Sequence, residues 1–186
     1  MSTVVLFHSA LGLRDAVKDF AETLRGDGHT VITPDLYDGD VFDNLDDGMA
    51  KRDALGIPEL ATRSMASVND LPTDVYYAGY SMGAASAQML AGSRPGAKGC
   101  VMMHAAIPIQ MMGIATWPKD VPAQFFATKN DPWVEEYQMQ MVRESIPHLE
   151  EHWYEGNQHL FADTGFTEYL PEAASDMTAK IRAFIK

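Results

Sequence analysis

Short apolar runs, rich in β-branched and aromatic residues, alternate along this chain with segments of helical periodicity. Most of these runs are too short for helices and are bounded by Gly, Pro or Asp. An almost unbroken run such as Val4-Val5-Leu6-Phe7 suits a strand that is buried on both faces of a parallel sheet. The predicted strands are Thr3–His8, His29–Pro34, Asp74–Tyr80, Gly99–His104, Ala123–Thr128 and Glu150–Tyr154.

The segments between these runs place their apolar residues on one helical stripe, or begin and end with helix-capping signals. The predicted helices are Leu13–Arg25, Met49–Val68, Met82–Ser93, Trp133–Ser145 and Pro171–Ile185. Strand followed by helix, repeated, predicts an α/β fold with a doubly wound, mostly parallel sheet of about six to seven strands flanked by helices. We expect a single domain over residues 1–186, with an acidic, partly mobile crossover in the first half of Asp35–Leu71.

Net charge and cysteine content exclude several classes of function. The 186 residues include 26 acidic and 14 basic ones, a formal charge of −12, which repels phosphate backbones and anionic lipids. We therefore expect no nucleic-acid partner and no membrane association. Cys100 is the one cysteine, so an intrachain disulfide is impossible, and the apolar run near Met1 is too short for a signal sequence. These features predict a cytoplasmic protein, and we further expect a monomer or a weak homodimer.

The motif Gly79-Tyr80-Ser81-Met82-Gly83 fits the pattern G-x-S-x-G. It follows a predicted strand and opens a predicted helix, which is the setting that this motif needs to act as a nucleophile elbow. A serine on such a tight turn needs neighbours without side chains two residues away on either side, and the two glycines supply them. The helix N-terminus beside Ser81 also favours a developing anion. Ser81 is therefore the candidate nucleophile.

An acid and a base follow this serine in the order that an elbow nucleophile requires, Ser, then Asp, then His. Asp131 comes after the strand Ala123–Thr128, and His159 comes after the strand that ends at Tyr154. Both positions lie at the carboxyl ends of strands, where open α/β sheets place their sites. We expect His159 to take the Ser81 proton and Asp131 to orient the imidazole.

An elbow serine also needs two backbone N–H donors for the oxyanion. Met82, the residue after the nucleophile, supplies the first. The loop His8–Leu13 supplies the second, which we assign to Ala10 with Leu11 as the alternative.

Two other histidines stand near these loops. We expect His8 to tie its loop in place. We expect His104 to be a core histidine with satisfied hydrogen bonds, with a position in the pocket as the alternative. No two histidines have metal-ligand spacing and no G-x-G-x-x-G motif occurs, so we expect no metal and no cofactor.

At this point the chain resembles the dienelactone hydrolase family of α/β-hydrolases over nearly its whole length. The residues that carry the resemblance are the loop His8–Leu13, the run Pro34-Asp35-Leu36-Tyr37, the elbow Gly79–Gly83, Asp131, and the stretches His152–Glu155 and His159–Ala162. The resemblance implies a compact hydrolase without a metal or organic cofactor, which acts on small esters and lactones through a nucleophile–His–Asp triad.

This chain departs from the family pattern in three ways. The family enzyme is a cysteine enzyme at the elbow, with a Glu in its oxyanion loop, where this chain has Ser81 and Ser9. The family also uses arginines to hold a substrate carboxylate, whereas here Asp163 follows Phe161-Ala162 and Asp38-Gly39-Asp40 follows Tyr37. Because an acidic rim repels anions, we expect a neutral ester, lactone or thioester as substrate.

The expected substrate-binding residues are Leu11, Tyr37, Met111 and Trp117, since the segment Ile107–Lys119 follows a strand end that faces the site. Core filling is the ordinary role of methionines, and a flexible pocket lining from Met111, Met112 and Trp117 is the sharper alternative. Two other functions remain open, which are a catalytically silent hydrolase-like binding protein and a thioesterase or acyltransferase.

Overall fold

A computed structural model describes all residues from 1 to 186. Its centre is one sheet of six parallel strands in the order β2-β1-β3-β4-β5-β6. The strands are β1 (Thr3–Phe7), β2 (Thr30–Ile32), β3 (Val75–Tyr80), β4 (Gly99–Met103), β5 (Ala123–Thr128) and β6 (Leu149–Tyr154). The helices are α1 (Asp15–Gly26), α2 (Leu45–Leu55), α3 (Ile57–Ala66), α4 (Met82–Ser93), α5 (Glu136–Ser145) and α6 (Pro171–Phe184). The predicted doubly wound α/β fold is confirmed.

The sheet separates two hydrophobic layers. Along β1, Val5 and Phe7 belong to the layer that packs against α3, α4 and α5, whereas Val4 and Leu6 belong to the layer under α1 and α6. All residues of β3 and β5 are buried. This two-sided burial is the physical reason that the strands read as continuous apolar runs rather than alternating ones. None of the helices combines the length and the apolarity that crossing a membrane requires.

The predicted helix Met49–Val68 is wrong in its extent, because two helices occupy this region. Gly56 separates α2 from α3 with a φ of 81°, and Pro58 lies in the first turn of α3. Only glycine adopts such a backbone angle without strain, and proline is suited to a first helical turn. The glycine and proline therefore turn the chain, and the two short helices can pack as a pair.

The start of α5 also differs from the expectation at Trp133. The helix begins at Glu136, because the Asp131 side chain accepts a hydrogen bond from the Trp133 N–H at 2.9 Å and holds a turn there. Asp131 thus lies in the loop between β5 and α5.

The order of the strands decides where a site can form. The chain passes from β1 to β2 on one side, and then crosses back to β3 on the other side of β1. Loops that follow β1 and β3 therefore diverge at this switch point, and they leave a crevice at the carboxyl ends of the strands.

Candidate active site

Ser81 lies on a strained turn between β3 and α4. Its φ of 50° and ψ of −109° are unusual for a residue with a side chain. A Cβ at Gly79 would overlap the carbonyl of Gly83, and one at Gly83 would lie 2.5 Å from the His8 oxygen. Both glycines are therefore required, one by the tightness of the turn and the other by the close approach of the end of β1.

Three predicted residues, 50 and 28 positions apart in the chain, form one hydrogen-bonded series. Ser81 Oγ lies 2.7 Å from His159 Nε2, and His159 Nδ1 lies 2.8 Å from Asp131 Oδ2. His159 and Asp131 are almost completely buried. Because Nδ1–H faces a carboxylate, it is the donor there, and Nε2 is left to accept from the serine hydroxyl.

Glu168 holds the loop that carries His159. One oxygen of its carboxylate accepts the N–H of His159 at 2.6 Å and the N–H of Leu160 at 3.3 Å. A charged acceptor on two successive N–H groups makes a strong anchor for this loop. Sequence reasoning missed Glu168, because it lies in an irregular segment and no motif marks it.

The loop after β1 offers a free backbone donor. The Leu11 N–H donates to Ser9 Oγ at 3.1 Å, whereas the Ala10 N–H makes no hydrogen bond within the protein. Met82 is the first residue of α4, so its N–H has no acceptor inside the helix. Of the two residues considered for the second donor, Ala10 is thus the one with an unused N–H.

His8 ties this loop to the rest of the fold, as expected. Its Nδ1–H donates to the Ser9 carbonyl at 2.7 Å, and its Nε2 accepts from the Leu36 N–H at 2.9 Å. Burial lowers the pKa of His8, since a charged imidazole is poorly solvated in this position. A neutral ring is also what this pair of hydrogen bonds requires.

His104 is a core residue, but the expectation that its hydrogen bonds are satisfied is wrong. It is completely buried, and neither ring nitrogen has a hydrogen-bond partner. The imidazole packs edge-on against Phe161 at 4.6 Å and lies 6.1 Å from the ring of His159, centroid to centroid. Burial holds the pKa of His104 well below its ordinary value.

A cavity of about 420 Å³ opens beside Ser81 and His159. Most of its 17 lining residues are hydrophobic. The walls come from one face of α4, from α2 and α3, from the segment after β4, and from Trp133. Their side chains are Leu45, Met49, Arg52, Ile57, Leu60, Ala61, Met82, Ala85, Ser86, Met89, Ala105, Ile107, Met111 and Met112.

The structure places one of the four predicted substrate-binding residues in this cavity. Met111 lines it and is 70% exposed. Leu11, Tyr37 and Trp117 do not line it, and all three are buried. The Tyr37 hydroxyl donates to the Gly48 carbonyl, and the Trp117 N–H donates to Val121. Large aromatic residues with internal partners are packing elements, and Leu11 is a completely buried apolar residue. The expectation for these three residues is therefore corrected.

Asp163 is not part of an acidic rim, which also corrects the expectation. Its side chain is buried, and one oxygen lies 3.2 Å from Arg14 Nε. Arg14 also donates to the carbonyls of Phe42 and Gly165, so it joins three loops around the site. The one arginine in the cavity lining, which contains no lysine, is Arg52 from α2, and it donates to Asp53 through two nitrogens.

Comparison with known proteins shows which folds and which family this chain is similar to. Among curated proteins, none is significantly similar to this chain. Among solved structures, a dienelactone hydrolase-like promiscuous phosphotriesterase from metagenomic libraries is 21% identical, with a TM-score of 0.81 over 98% of this chain and 84% of that one. A cold-adapted esterase from an Arctic intertidal metagenomic library is 14% identical, with a TM-score of 0.66 over 100% and 83%.

A thioesterase domain from the curacin biosynthetic pathway is also 14% identical, with a TM-score of 0.67 over 97% of this chain and 90% of that one. At these identities the structural likenesses establish the α/β-hydrolase fold alone. The sequence itself matches the model of the dienelactone hydrolase family over residues 1–186. The chain with the elbow at Ser81 therefore belongs to the dienelactone hydrolase family.

Proposed function

We propose that this protein is a serine hydrolase that cleaves small uncharged esters or lactones. The observation that carries the proposal is the hydrogen-bonded series from Ser81 Oγ through His159 to Asp131. Ser81 itself lies on a strained elbow at the wall of a cavity. In this series the nucleophile lies within hydrogen-bond reach of a base, and a third group orients that base. This arrangement is the signature of covalent acyl transfer.

In the first half of the reaction, His159 Nε2 takes the Ser81 proton as Oγ forms a bond to the acyl carbon. The ester C–O bond breaks, and the leaving alkoxide receives that proton from His159. In the second half, a water gives a proton to His159 as its oxygen attacks the acyl carbon. The bond between that carbon and Ser81 Oγ then breaks, Oγ takes the proton back from His159, and the acid is released. Asp131 keeps the imidazole in the tautomer that both halves need and stabilises the imidazolium.

The oxyanion is assigned to the N–H groups of Ala10 and Met82. Supporting this assignment, the Ala10 N–H has no other acceptor and Met82 opens α4. Each such donor contributes about 2.7–4 kcal/mol to the transition state in well-formed sites. The hydrogen bonds of His8 to Ser9 and Leu36 keep this loop in one conformation.

An uncharged substrate fits the cavity best. Its lining is mostly hydrophobic, and its one Lys or Arg side chain, Arg52, already donates to Asp53. A substrate carboxylate would lose its water without gaining an unpaired cation, and this desolvation is unfavourable.

The test is hydrolysis of p-nitrophenyl butyrate, together with labelling by a fluorophosphonate that is read by mass spectrometry. We expect turnover, a label on Ser81, and a fall of about 10³-fold or more in kcat/KM for both Ser81→Ala and His159→Ala. The matched control is Ser93→Ala, an exposed serine at the far end of the same helix, which should retain activity and labelling.

Absence of both turnover and label would contradict the proposal and would leave a silent binding protein as the better description. Turnover of a thioester at a much higher kcat/KM than the matching oxygen ester would instead make the protein a thioesterase.

A further inference from the structure

The cavity follows one face of α4 from the nucleophile outward. Met82, Ala85, Ser86 and Met89 all line it, and their spacing of three and four residues places them in one row. The seven residue-to-residue steps from Met82 to Met89, at a rise of 1.5 Å each, make this row about 10 Å long. The cavity wall therefore extends over this length of α4, with Ser81 at one end of the row.

The walls along this row are flexible and apolar. Methionines from three separate segments face the cavity, at Met49, Met89 and Met112 among others. Their unbranched thioether side chains adapt to irregular or flexible ligands. The Ser86 hydroxyl, the polar group within the row, is already hydrogen-bonded to Ser64 at 2.9 Å. The row thus offers contacts to a hydrocarbon chain and few to a polar one.

The mouth of the cavity is also apolar. Ile57 is 66% exposed and Met111 is 70% exposed, although both are large apolar residues that line the cavity. Exposed apolar side chains at the mouth of an apolar cavity are typical of a ligand-binding groove.

On the basis of the proposed function, we propose that the physiological substrates carry a straight acyl chain of medium length, which lies along the α4 row from Ser81 to Met89. With C–C bonds of about 1.5 Å, an extended chain advances about 1.25 Å per carbon, so that about eight carbons span the row. The acyl carbon then sits at Ser81 Oγ, and the alcohol leaves toward the solvent side.

The first experiment measures kcat/KM of the unaltered protein on p-nitrophenyl esters with acyl chains from two to twelve carbons. A second series of octyl and ethyl acetates lengthens the alcohol instead. We expect kcat/KM to rise with acyl length, by at most about fourfold per buried methylene, and to level off near eight carbons. Lengthening the alcohol should give no comparable rise.

A variant tests the position of the chain. Ala85→Phe fills the row one turn beyond Met82, so we expect the ratio of C8 to C4 kcat/KM to fall at least tenfold. The matched control is Ala54→Phe, the same change at an exposed position of α2 that does not line the cavity, and it should keep the ratio.

A rate that falls steadily beyond C4, or an equal rise with the alcohol chain, would overturn this inference while leaving the proposed function standing. An unchanged C8 to C4 ratio in folded Ala85→Phe would overturn the position along α4. Absence of turnover on every ester, with no label on Ser81, would overturn the proposed function and this inference with it.

Discussion

The buried, unpartnered His104 makes the stability of this protein depend on pH. In the folded state its pKa lies well below the ordinary value of 6.5, because burial disfavours the charged imidazole. The unfolded chain, by contrast, takes up a proton as the pH falls through 6.5. Below that pH the unfolded state binds more protons than the folded one, so the free energy of unfolding falls as the pH falls.

The size of this change in the free energy of unfolding follows from the ordinary pKa of histidine, since His104 stays neutral in the folded state. Between pH 7.5 and pH 5.5, one histidine that stays neutral in the folded state lowers the free energy of unfolding by about 1.4 kcal/mol. The perturbation is His104→Asn, which removes the titrating group. Asparagine tolerates the left-handed backbone of this position, where φ is 69°.

The assay is urea denaturation of both proteins at pH 7.5 and 5.5. His104→Asn changes packing and hydrogen bonding too, but these contributions do not vary with pH and so cancel between the two conditions. We expect the stability of the unaltered protein relative to the variant to fall by about 1.4 kcal/mol on acidification. The matched control is His148→Asn, the same substitution at an exposed histidine with a φ of 63°.

The reasoning would be refuted if the difference between the unaltered protein and His104→Asn stayed the same at both values of pH. His104 would then take up its proton in the folded state as readily as in the unfolded chain. The other buried histidines, His8 and His159, are present in both proteins, so anything that they contribute cancels.

Two further predictions concern the supports of the site. Glu168→Ala removes the acceptor that holds the His159 N–H, so kcat should fall about 10- to 100-fold with little change in KM. Glu168→Gln retains an acceptor oxygen and should recover most of the lost kcat. Equal losses of kcat in both variants would count against an anchoring role. Gly83→Ala forces a Cβ to 2.5 Å from the His8 carbonyl oxygen, so it should lower the free energy of unfolding by about 1–3 kcal/mol. The control is Gly26→Ala, where the added Cβ meets no atom within 4 Å. This change should leave the free energy of unfolding the same or raise it by up to about 1 kcal/mol. Urea denaturation measures the free energy of unfolding of both glycine variants. Equal values for Gly83→Ala and Gly26→Ala would argue against the close approach at the elbow.

Much of the fold could be predicted from the sequence, because the four central strands, β1, β3, β4 and β5, are buried on both faces. Such strands must be continuously apolar, and runs like Val4–Phe7 and Ala123–Thr128 stand out from the helical segments for that reason. The exceptions involve local backbone signals. A single helical pattern over Met49–Val68 conceals the break at Gly56, and Asp131 delays the start of α5 by bonding to the Trp133 N–H.

The cavity was harder to predict than the elbow. Met111 is recognisable because its segment follows a strand end, but Tyr37 and Trp117 looked equally suitable and are buried in packing contacts. The direction of a side chain in an irregular segment depends on what packs against it. Arg52 and Met89, which do line the cavity, lie on helices whose rotation about their axes is set by tertiary packing.

The sequence by itself determined the class of fold, the elbow around Ser81, and the chain order of the three residues that meet there. These depend on local patterns, such as two glycines around a serine or an apolar run between turns, which follow from nearest-neighbour sterics and burial. Only the tertiary structure decided that Glu168 anchors His159, that Ala10 rather than Leu11 has the unused N–H, and which side chains wall the cavity. These features join segments that are distant in the chain, and their geometry exists only once the helices have packed on the sheet.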